Sequence, residues 1–469
     1  MTYDEAVRYL LTLGHELASP QQARAQKFDL ENIRRLSAHR GNPHRAYPSV
    51  HIAGTNGKGS TAAMLDSILR AAGMRTGLYT SPHLVHINER IALDGEEISD
   101  TDFAATFARV FQSIETLLSQ GALAAHPTYF ECLTAMAFDF FAQQRIDCGV
   151  LEVGMGGRLD ATNILTPEVA VITQIDFDHE NFLGHSIEQI AAEKAGIIKP
   201  GGWVVSAVER PEARWAIARR AAEMDARLVD VETVYRAQVE PAKTRGVTPA
   251  TATGRYAVSV WWPHSRGKLE FVLPVAGRYQ ARNALAALAA ARLLAERGFP
   301  VDDAAIVRGI EAVRWPGRLE RVATAPDIYL DGTHNPAGGR ELVAFWQEHL
   351  AGRRILLVYG AMRDKAVDEI TSLLFPLAWK VILTEPRQPR AISAEALAGM
   401  TTHLAPAAGV EVVSEPTQAL EWATALAGPD DVVFATGSLY LVGDLLRYWR
   451  TRTQQPASVL GAAASPTTS

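Results

Sequence analysis

The residues best suited to chemistry form a glycine-rich turn, Gly54-Thr55-Asn56-Gly57-Lys58-Gly59-Ser60. The turn follows a short apolar run, Val50 to Ala53, and it precedes a segment with helical spacing of apolar residues, Thr61 to Ala72. Glycines let successive backbone N–H groups turn toward one point, the start of a helix adds a positive dipole, and a lysine supplies a mobile cation. The turn therefore predicts a cradle for the phosphates of a nucleotide, with Thr55, Asn56, Gly57, Lys58, Gly59 and Ser60 as its binding residues.

A nucleoside triphosphate requires Mg²⁺, which prefers oxygen ligands close to the phosphates. Glu152 ends the apolar run Cys148 to Val153, and Asp178-His179 closely follows the apolar run Ala170 to Ile175. Because ligands bind at the carboxyl ends of parallel strands, Glu152 and His179 are candidates for a metal site. Each also has a plain alternative, since Glu152 could be a partly exposed carboxylate and His179 a packed or capping residue.

Two further motifs are less specific. Lys194 lies in Glu193-Lys194, on the helix expected after His179, and taken alone it is a surface lysine. The segment Asp331-Gly332-Thr333-His334-Asn335-Pro336 ends a later strand and would place polar groups toward a cleft between domains. A structural turn explains that segment equally well.

These motifs must be positioned by alternating strands and helices. Strongly apolar strands predict a parallel sheet covered on both faces, so we expect an α/β protein. Its P-loop-type, mainly parallel ATPase domain should span residues 1–313, with a hairpin of Tyr256 to Trp262 and Leu269 to Val275 at the side of the sheet. A smaller, Rossmann-like α/β domain should span residues 314–453, and residues 454–469 are expected to be disordered.

The composition excludes several classes of protein. With 48% hydrophobic and 21% charged residues among 469, wholesale disorder and a fibrous fold are ruled out. The net charge of −6 argues against nucleic acid as the main partner. The two cysteines, Cys132 and Cys148, indicate no disulfide framework and fit a reducing cytoplasm. The most apolar segment, Ala284 to Ala295, is too short to span a membrane.

Taken together, the motifs resemble the folylpolyglutamate synthase/dihydrofolate synthase family of the Mur ligase superfamily. The resemblance rests on motifs that occur in the family's order between about Phe28 and Val442. They are GTNGKGS, Tyr79 to Leu84 (YTSPHL), Leu151 to Asn163 (LEVGMGGRLDATN), Asp178-His179, Glu193 to Ile197 (EKAGI) and DGTHNP.

The resemblance implies an ATP-dependent ligase that phosphorylates a carboxylate of a pterin substrate and joins L-glutamate to the resulting acyl phosphate. It implies catalytic roles for Lys58, Glu152, His179 and Lys194. Ser81 and Glu152 would bind one Mg²⁺, and His179 and a carbamylated Lys194 would serve a second. Asn283, Arg318, Asp331 and His334 would bind the nucleotide, and closure of the two domains would complete the site.

The pterin side of the resemblance includes three segments, which are Asp29-Leu30-Glu31, Thr128-Tyr129-Phe130-Glu131 and Leu159-Asp160-Ala161. Phe130 and Glu131 offer a stacking face and a carboxylate, although a helix cap and a core residue explain the pair equally well. The residues between Gly157 and Thr162, Arg158 to Ala161, look more like those of the bifunctional form, which also adds the first glutamate to dihydropteroate. The alternative is a monofunctional folylpolyglutamate synthase.

Two other functions are less consistent with the sequence. A peptidoglycan-type ligase usually carries an additional N-terminal domain, whereas about 49 residues precede the first strand here. A nucleotide-binding switch leaves Glu152, His179 and the second domain without a purpose. We expect a monomer that acts on folate or dihydropteroate, L-glutamate and ATP, without nucleic-acid or membrane partners.

Overall fold

A computed structural model of the chain describes residues 1–14, 29–242, 254–263, 267–363, 365–404 and 406–454. By their contacts the residues divide into two compact units. The first comprises residues 1–316 and 335–349, and the second comprises residues 317–334 and the described chain from Leu350 onward. The predicted domain boundaries remain predictions, and the predicted disorder of residues 455–469 lies outside the described residues. No helix of the described segments is long and apolar enough to cross a membrane.

The first unit contains an eight-stranded, mainly parallel sheet. Its strands are β1 (Ser49–Ala53), β2 (Thr76–Tyr79), β3 (Ile91–Leu93), β4 (Glu96–Glu97), β5 (Cys148–Glu152), β6 (Val169–Ile172), β7 (Trp203–Ser206) and β8 (Arg227–Asp230). The order is β4-β3-β2-β5-β1-β6-β7-β8, with β3 and β4 antiparallel to their neighbours. The expected α/β class with a mainly parallel sheet is confirmed. The sequence patterns do not predict β3, β4, β7 and β8. The two edge strands, β4 and β8, are exposed or partly exposed and lack a fully apolar pattern.

Helices cover both faces of this sheet. The described α-helices of the first unit are α1 (Tyr3–Thr12), α2 (Glu31–His39), α3 (Lys58–Ala71), α4 (Asp100–Ser119), α5 (Tyr129–Gln144), α6 (Glu180–Leu183), α7 (Ile187–Ala195), α8 (Pro211–Glu223), α9 (Val231–Val234), α10 (Gln280–Glu296), α11 (Asp303–Ala312) and α12 (Pro336–His349). Successive residues of β5 enter different cores: Val150 packs with α3 and α10, and Leu151 packs with α4 and α5. Burial on both faces explains why the strands are continuously apolar.

The predicted hairpin is part of a separate three-stranded sheet. Its strands are β9 (Arg236–Pro241), β10 (Tyr256–Trp261) and β11 (Leu269–Val272), all antiparallel. The hairpin of β10 and β11 agrees with the sequence pattern, but β9 was not expected. Only alternate residues of β9 are even partly buried, and charged residues begin and nearly end it, so its apolar signal is weak.

The second unit contains a six-stranded sheet, and its α/β character is as expected. Its strands are β12 (Glu320–Ala323), β13 (Asp327–Leu330), β14 (Ile355–Tyr359), β15 (Lys380–Leu383), β16 (Val410–Val412) and β17 (Val432–Thr436). The order is β12-β13-β17-β14-β15-β16, with only the β12 pairing antiparallel. The helices are α13 (Val367–Leu374), α14 (Ala394–Met400), α15 (Pro416–Leu426) and α16 (Leu439–Gln454).

The helix that follows the cradle, α3, is packed closely against α11 at Gly309. A Cβ on Gly309 would lie 2.3 Å from Cα of Ile68, and Ser67 Oγ donates a 2.7 Å hydrogen bond to the Gly309 carbonyl. A side chain there must push the two helices apart, and α3 carries Lys58 at its first position.

We therefore expect Gly309→Ala to lower the free energy of unfolding by about 1 to 3 kcal/mol through overpacking. Gly399→Ala is the matched control, because Gly399 is also helical but has open space around it. That control should raise stability by about 0.5 to 1 kcal/mol. Urea denaturation of both variants checks the prediction, and equal effects would contradict it.

Candidate functional site

The glycine cradle connects β1 to the N-terminus of α3. Gly57 precedes the helix with a φ of 86°, in the left-handed region that favours glycine. Lys58 begins the helix, and its Nζ donates a 3.2 Å hydrogen bond to the Thr55 carbonyl. A Cβ on Gly59 would lie 2.7 Å from Cζ2 of Trp315. The predicted strand, turn and helix are therefore present, with backbone N–H groups at the start of α3 and a lysine beside them.

The loop after β6 holds the first half of the cradle. The N–H groups of Thr55 and Asn56 both donate to the Gln174 carbonyl, at 2.8 and 3.2 Å. Thr55 Oγ1 donates to the Asp176 carbonyl at 3.0 Å, and Thr173 Oγ1 donates to the Asn56 carbonyl at 2.8 Å. The hydroxyl of Thr55, a predicted phosphate ligand, is thus used in the contact between the cradle and the loop after β6.

Asn56 and Asn335 form a reciprocal pair of side-chain amides. Asn56 Nδ2 donates to Asn335 Oδ1 at 3.2 Å, and Asn335 Nδ2 donates to Asn56 Oδ1 at 2.8 Å. Asn335 Oδ1 also accepts from the Gly338 N–H at 2.9 Å, in the first turn of α12. The sequence patterns predict no separate role for Asn335, although an asparagine directly before a proline is a recognisable start of a helix.

Glu152 lies at the end of β5, next to the cradle. Its side chain is buried, and Oε2 accepts a 3.1 Å hydrogen bond from the Ser81 N–H. The same oxygen lies 3.3 Å from the position that a Cβ on Gly59 would take. The structure therefore brings together three of the predicted residues, Glu152, Ser81 and Gly59, and the alternative of a partly exposed Glu152 is wrong.

Lys194 is buried at the end of α7, with 4% of its surface exposed. Its Nζ donates a 2.7 Å hydrogen bond to the carbonyl of Gly54, the first residue of the cradle. The interpretation of Lys194 as a surface lysine is therefore wrong.

His179 precedes the short helix α6 with a φ of 52°. Its N–H donates to Asp178 Oδ1 at 2.9 Å, and its ring Nε2 lies 3.9 Å from the same oxygen. Over the part of the chain that the structure describes, no three His, Cys, Asp or Glu side chains are grouped to hold a metal ion. The described geometry thus brings Lys194 to the cradle and pairs His179 with Asp178.

The loop from Val153 to Asn163 is held by a buried carboxylate. Asp160 accepts hydrogen bonds from the N–H groups of Met155, at 2.9 Å, and Thr162, at 3.0 Å. Burial raises the pKa of Asp160, and the hydrogen bonds partly offset that effect. Thr162 Oγ1 also lies 2.7 Å from Nε2 of the buried His51 on β1. Asp160, predicted to contact the pterin, therefore shapes its own loop.

The other predicted pterin residues lie on two elements. Thr128 and Glu131 form a reciprocal capping box at the start of α5, and burial raises the pKa of Glu131. The ring of Phe130 packs against Gly154, where a Cβ would lie 2.5 Å from Cζ. Tyr129 is buried beneath the Arg90 guanidinium. Glu131 thus matches the plain alternative, a helix cap.

The remaining members of this set surround the start of α2 and the end of the loop. Asp29 Oδ1 accepts from the Glu31 N–H at 2.9 Å, and Leu30 is buried. Glu31 is exposed and pairs with Arg35 at 2.6 Å. Ala161 is buried, whereas Leu159 is partly exposed.

Asn283 lies on α10 beside the cradle. Its Nδ2 donates a 2.8 Å hydrogen bond to Gln280 Oε1, and its Oδ1 lies 2.2 Å from the position of a Cβ on Gly57. The close approach of this amide requires glycine at position 57, in addition to the positive φ. The structure therefore brings Asn283, predicted for the nucleotide, to the cradle.

Three of the predicted nucleotide residues belong to the second unit. Both carboxylate oxygens of Asp331 accept backbone N–H groups, from Leu319 at 2.8 Å and from Thr333 at 2.9 Å. Arg318 donates to the Gly317 carbonyl at 3.0 Å, and His334 Nδ1 lies 2.8 Å from the Gly332 carbonyl. Asp331 thus fixes the loop that carries Arg318.

An ion triad near the cradle was not expected from the sequence. Asp176 is buried, and it binds Arg210 at 2.9 Å and Arg340 at 2.7 Å. The backbone carbonyl of Asp176 also accepts the hydrogen bond from Thr55 Oγ1. Two arginines from distant segments offset the cost of burying this carboxylate, a long-range arrangement without a local sequence signal.

Comparisons with known proteins show the family of the chain. Residues 52–291 match the family described as Mur ligase middle domain, and residues 317–439 match Mur ligase, glutamate ligase domain. The dihydrofolate synthase/folylpolyglutamate synthase of Bacillus subtilis is 34% identical over 424 residues, which cover 89% of this chain and 94% of that protein.

Two solved structures are also similar. The Mycobacterium tuberculosis folylpolyglutamate synthase complexed with ADP and AMPPCP aligns with a TM-score of 0.83 and 33% identity, covering 95% of this chain and 99% of that one. The Escherichia coli FolC in complex with DHPP and ADP aligns with a TM-score of 0.82 and 30% identity, covering 97% and 99%. These neighbours bind adenine nucleotides on the same fold.

The buried His51 should make the stability of the protein depend on pH. Burial and the nearby Lys199 lower its pKa to about 3, below the ordinary value near 6.5. The stability that the neutral ring contributes is therefore present above pH 6.5 and is lost as the pH falls from 6.5 toward 3.

We expect the unfolding free energy of the wild type to fall more steeply on acidification than that of His51→Gln, which keeps a partner for Thr162 but does not titrate. The difference should approach about 1.4 kcal/mol per pH unit below pH 6.5. Urea denaturation between pH 7 and 4 measures it, and parallel curves would contradict the assignment. His44, also buried with a lowered pKa, is present in both proteins and cancels.

Proposed function

This chain belongs to the folylpolyglutamate synthase/dihydrofolate synthase family of Mur ligases, and from this premise we propose how its site joins L-glutamate to folates and to dihydropteroate with ATP. The observation that carries the proposal is the buried carboxylate of Glu152 beside the glycine cradle. A phosphate cradle with one adjacent carboxylate suits phosphoryl transfer, in which positioning and charge neutralisation supply most of the catalysis.

The reaction has two steps. The γ-phosphoryl group of ATP passes to a carboxylate of the folate or pteroate substrate, which forms an acyl phosphate and releases ADP. The amino group of L-glutamate then attacks the acyl carbon, an amide bond forms, and phosphate leaves. Lys58 and the N–H groups at the start of α3 would hold the phosphates, with Lys58 exchanging its bond to Thr55 for a phosphate oxygen.

A first Mg²⁺ fits Glu152 and Ser81. Glu152 offers a buried carboxylate, the Ser81 backbone already contacts it, and Mg²⁺ typically takes only one or two protein ligands besides phosphates and water. Bound there, Mg²⁺ would neutralise the charge on the phosphates. The role left to this chain is to hold Glu152 at the end of β5, against Gly59.

A second Mg²⁺ would be served by His179 and Lys194, and it requires a chemical change at Lys194. An amine is not a ligand that Mg²⁺ prefers, whereas a carbamate presents carboxylate-like oxygens. A carbamylated Nζ retains one N–H, so it can keep the hydrogen bond to Gly54 while its new oxygens face away. We propose this modification as the reason for a buried lysine at the cradle.

The pterin is proposed to bind between the start of α5 and the loop that follows Glu152. The contact of Phe130 with Gly154 joins these two elements. Phe130 and Leu159 would supply the contact surface, while Glu131 and Asp160 would hold the elements in place. Asp29, Leu30 and Glu31 would border the site. Asn283, Arg318, Asp331 and His334 are proposed for the nucleotide.

The proposal also covers the setting in which the enzyme acts. We propose a monomer that works on small molecules in the cytoplasm, without nucleic-acid or membrane partners. The buried cysteines Cys132 and Cys148, which form no disulfide, support a reducing compartment, and the net charge of −6 supports the lack of a nucleic-acid partner.

The ligase proposal predicts a double dependence of ATP turnover. Purified protein with ATP, Mg²⁺ and L-glutamate should release phosphate only when tetrahydrofolate or dihydropteroate is added, because the acyl phosphate forms on the acceptor and loses its phosphate when glutamate attacks. Lys58→Ala should lower the rate on the order of 10²-fold, and Lys268→Ala, at an exposed position directly before β11, should leave it unchanged. Phosphate release that ignores glutamate and acceptor would overturn the proposal. Activity with tetrahydrofolate alone would favour the monofunctional alternative.

The proposed carbamate predicts chemical rescue. Lys194→Ala should lose activity on the order of 10²-fold, and millimolar acetate or formate should restore part of it by replacing the missing carboxylate. Mass spectrometry of the native wild type should show an added 44 Da at Lys194 that acid removes. An unmodified Lys194 together with no rescue would exclude the carbamate.

A further inference from the structure

Lys199 and Asn163 form a polar contact that the proposed reaction does not use. Lys199 Nζ donates to both oxygens of Asn163, the backbone carbonyl at 2.9 Å and Oδ1 at 2.8 Å. The buried Asn163 in turn donates from Nδ2 to two backbone carbonyls, Arg158 at 2.9 Å and Gly196 at 3.1 Å. Both polar atoms of the Asn163 side chain are therefore engaged, and we call this arrangement the Lys199–Asn163 clamp.

The clamp joins two segments that carry candidate metal ligands. The Arg158 carbonyl belongs to the loop that starts directly after Glu152, and Gly196 is two residues beyond Lys194. These segments are also in direct backbone contact, because the Arg158 N–H donates to the Glu193 carbonyl at 2.8 Å. A Cβ on Gly157 would lie 2.8 Å from the carbonyls of Glu193 and Lys194. The clamp thus fixes how the loop sits on the backbone of Lys194.

In the part of the chain that the structure describes, both hydrogen bonds of Lys199 Nζ go to Asn163. Burial lowers the pKa of its ammonium group to about 8, and the positive charges of Arg34 and Arg220 act in the same direction. The nearby His51 is held neutral by burial. Over the described residues, the half-buried ammonium of Lys199 forms no ion pair with a carboxylate. Such burial is costly, so the hydrogen bonds to Asn163 must offset that cost. A residue kept at such a cost points to a role in holding the loop.

We propose that Lys199 and Asn163 are positioning residues for the ligase reaction. Lys199 orients Asn163, and Asn163 sets the spacing between the loop that begins at Glu152 and the segment that carries Lys194. Neither residue touches a substrate. The inference rests on the proposed function for the roles of Glu152 and Lys194, and it goes beyond that function by assigning the residues that hold them in register.

The test replaces Lys199 by methionine, which keeps the unbranched apolar stem, ends one atom short of Nζ and removes the donors. Lys199→Met leaves two buried oxygens of Asn163 unpaired, so the loop should loosen. Hydrogen exchange measured by mass spectrometry should show protection lost by about tenfold or more in peptides covering residues 154–163 and 194–198. Peptides of α3 should be unchanged.

The same variant should need more Mg²⁺. Because the spacing of Glu152 and Lys194 is no longer fixed, the Mg²⁺ concentration for half-maximal glutamate-dependent turnover should rise by about fivefold or more, and kcat should fall by about tenfold or more. Lys380→Met is the matched control, since the partly buried Lys380 donates to the Ala408 carbonyl at 3.2 Å in the second unit. That control should lower stability without changing the Mg²⁺ dependence.

A second variant guards against misfolding. Asn163→Asp keeps the size of the side chain and the oxygens that face Lys199, but it removes the donor to Arg158 and Gly196, so the same two effects are expected. Unchanged exchange protection in either variant, or a stability loss with wild-type Mg²⁺ dependence as in Lys380→Met, would overturn the clamp. A wild type without glutamate-dependent turnover would instead overturn the proposed function, and the positioning role with it.

Discussion

Three neighbouring parallel strands, β5, β1 and β6, end at the same edge of the sheet, and the site depends on this constraint. Register places Glu152 of β5 beside Ile52 of β1, and Ala53 beside Ile172 of β6. The loops that leave these strands must therefore meet, whatever their sequences. The glycine cradle leaves β1, the loop after Glu152 leaves β5, and the segment that contacts Thr55 leaves β6.

Loops that meet at one edge need small residues and buried polar contacts. A Cβ on Gly54 would lie 1.8 Å from Thr173 Oγ1, so glycine is required where β1 passes the loop after β6. Glycine is required at position 157 as well, because a Cβ there would lie 2.8 Å from the carbonyl of Lys194. The amine of Lys194 then links the cradle to α7 through the Gly54 carbonyl. Each loop is thus held by another loop, and displacing one would displace the rest.

Sequence patterns identified what is local about this site. The strand, glycine turn and helix around Lys58 are encoded in adjacent residues, and so is the position of Glu152 at the end of an apolar strand. The contacts of Lys194 with Gly54, separated by 140 residues, and of Asn56 with Asn335, separated by 279, are not. No periodicity signals such pairs, because they arise from how distant elements pack. For the same reason, the interpretation of Lys194 as a surface residue from its local sequence was wrong.

The charged residues of the motifs fall into two kinds, according to how many of their hydrogen-bonding groups are already used within the fold. Asp160, Glu131 and Asp331 accept backbone N–H groups that close a loop or cap a helix, so their carboxylates stabilise the scaffold. Lys58 makes one described hydrogen bond with three donors, and Arg318 makes one with five, so both can bind a polyanion without undoing the fold. In a chain with a net charge of −6, the positive potential for phosphate must come from such side chains and from backbone dipoles. The division therefore follows from electrostatics, because these three carboxylates are used by the loops, whereas Lys58 and Arg318 keep donors that a polyanion could take.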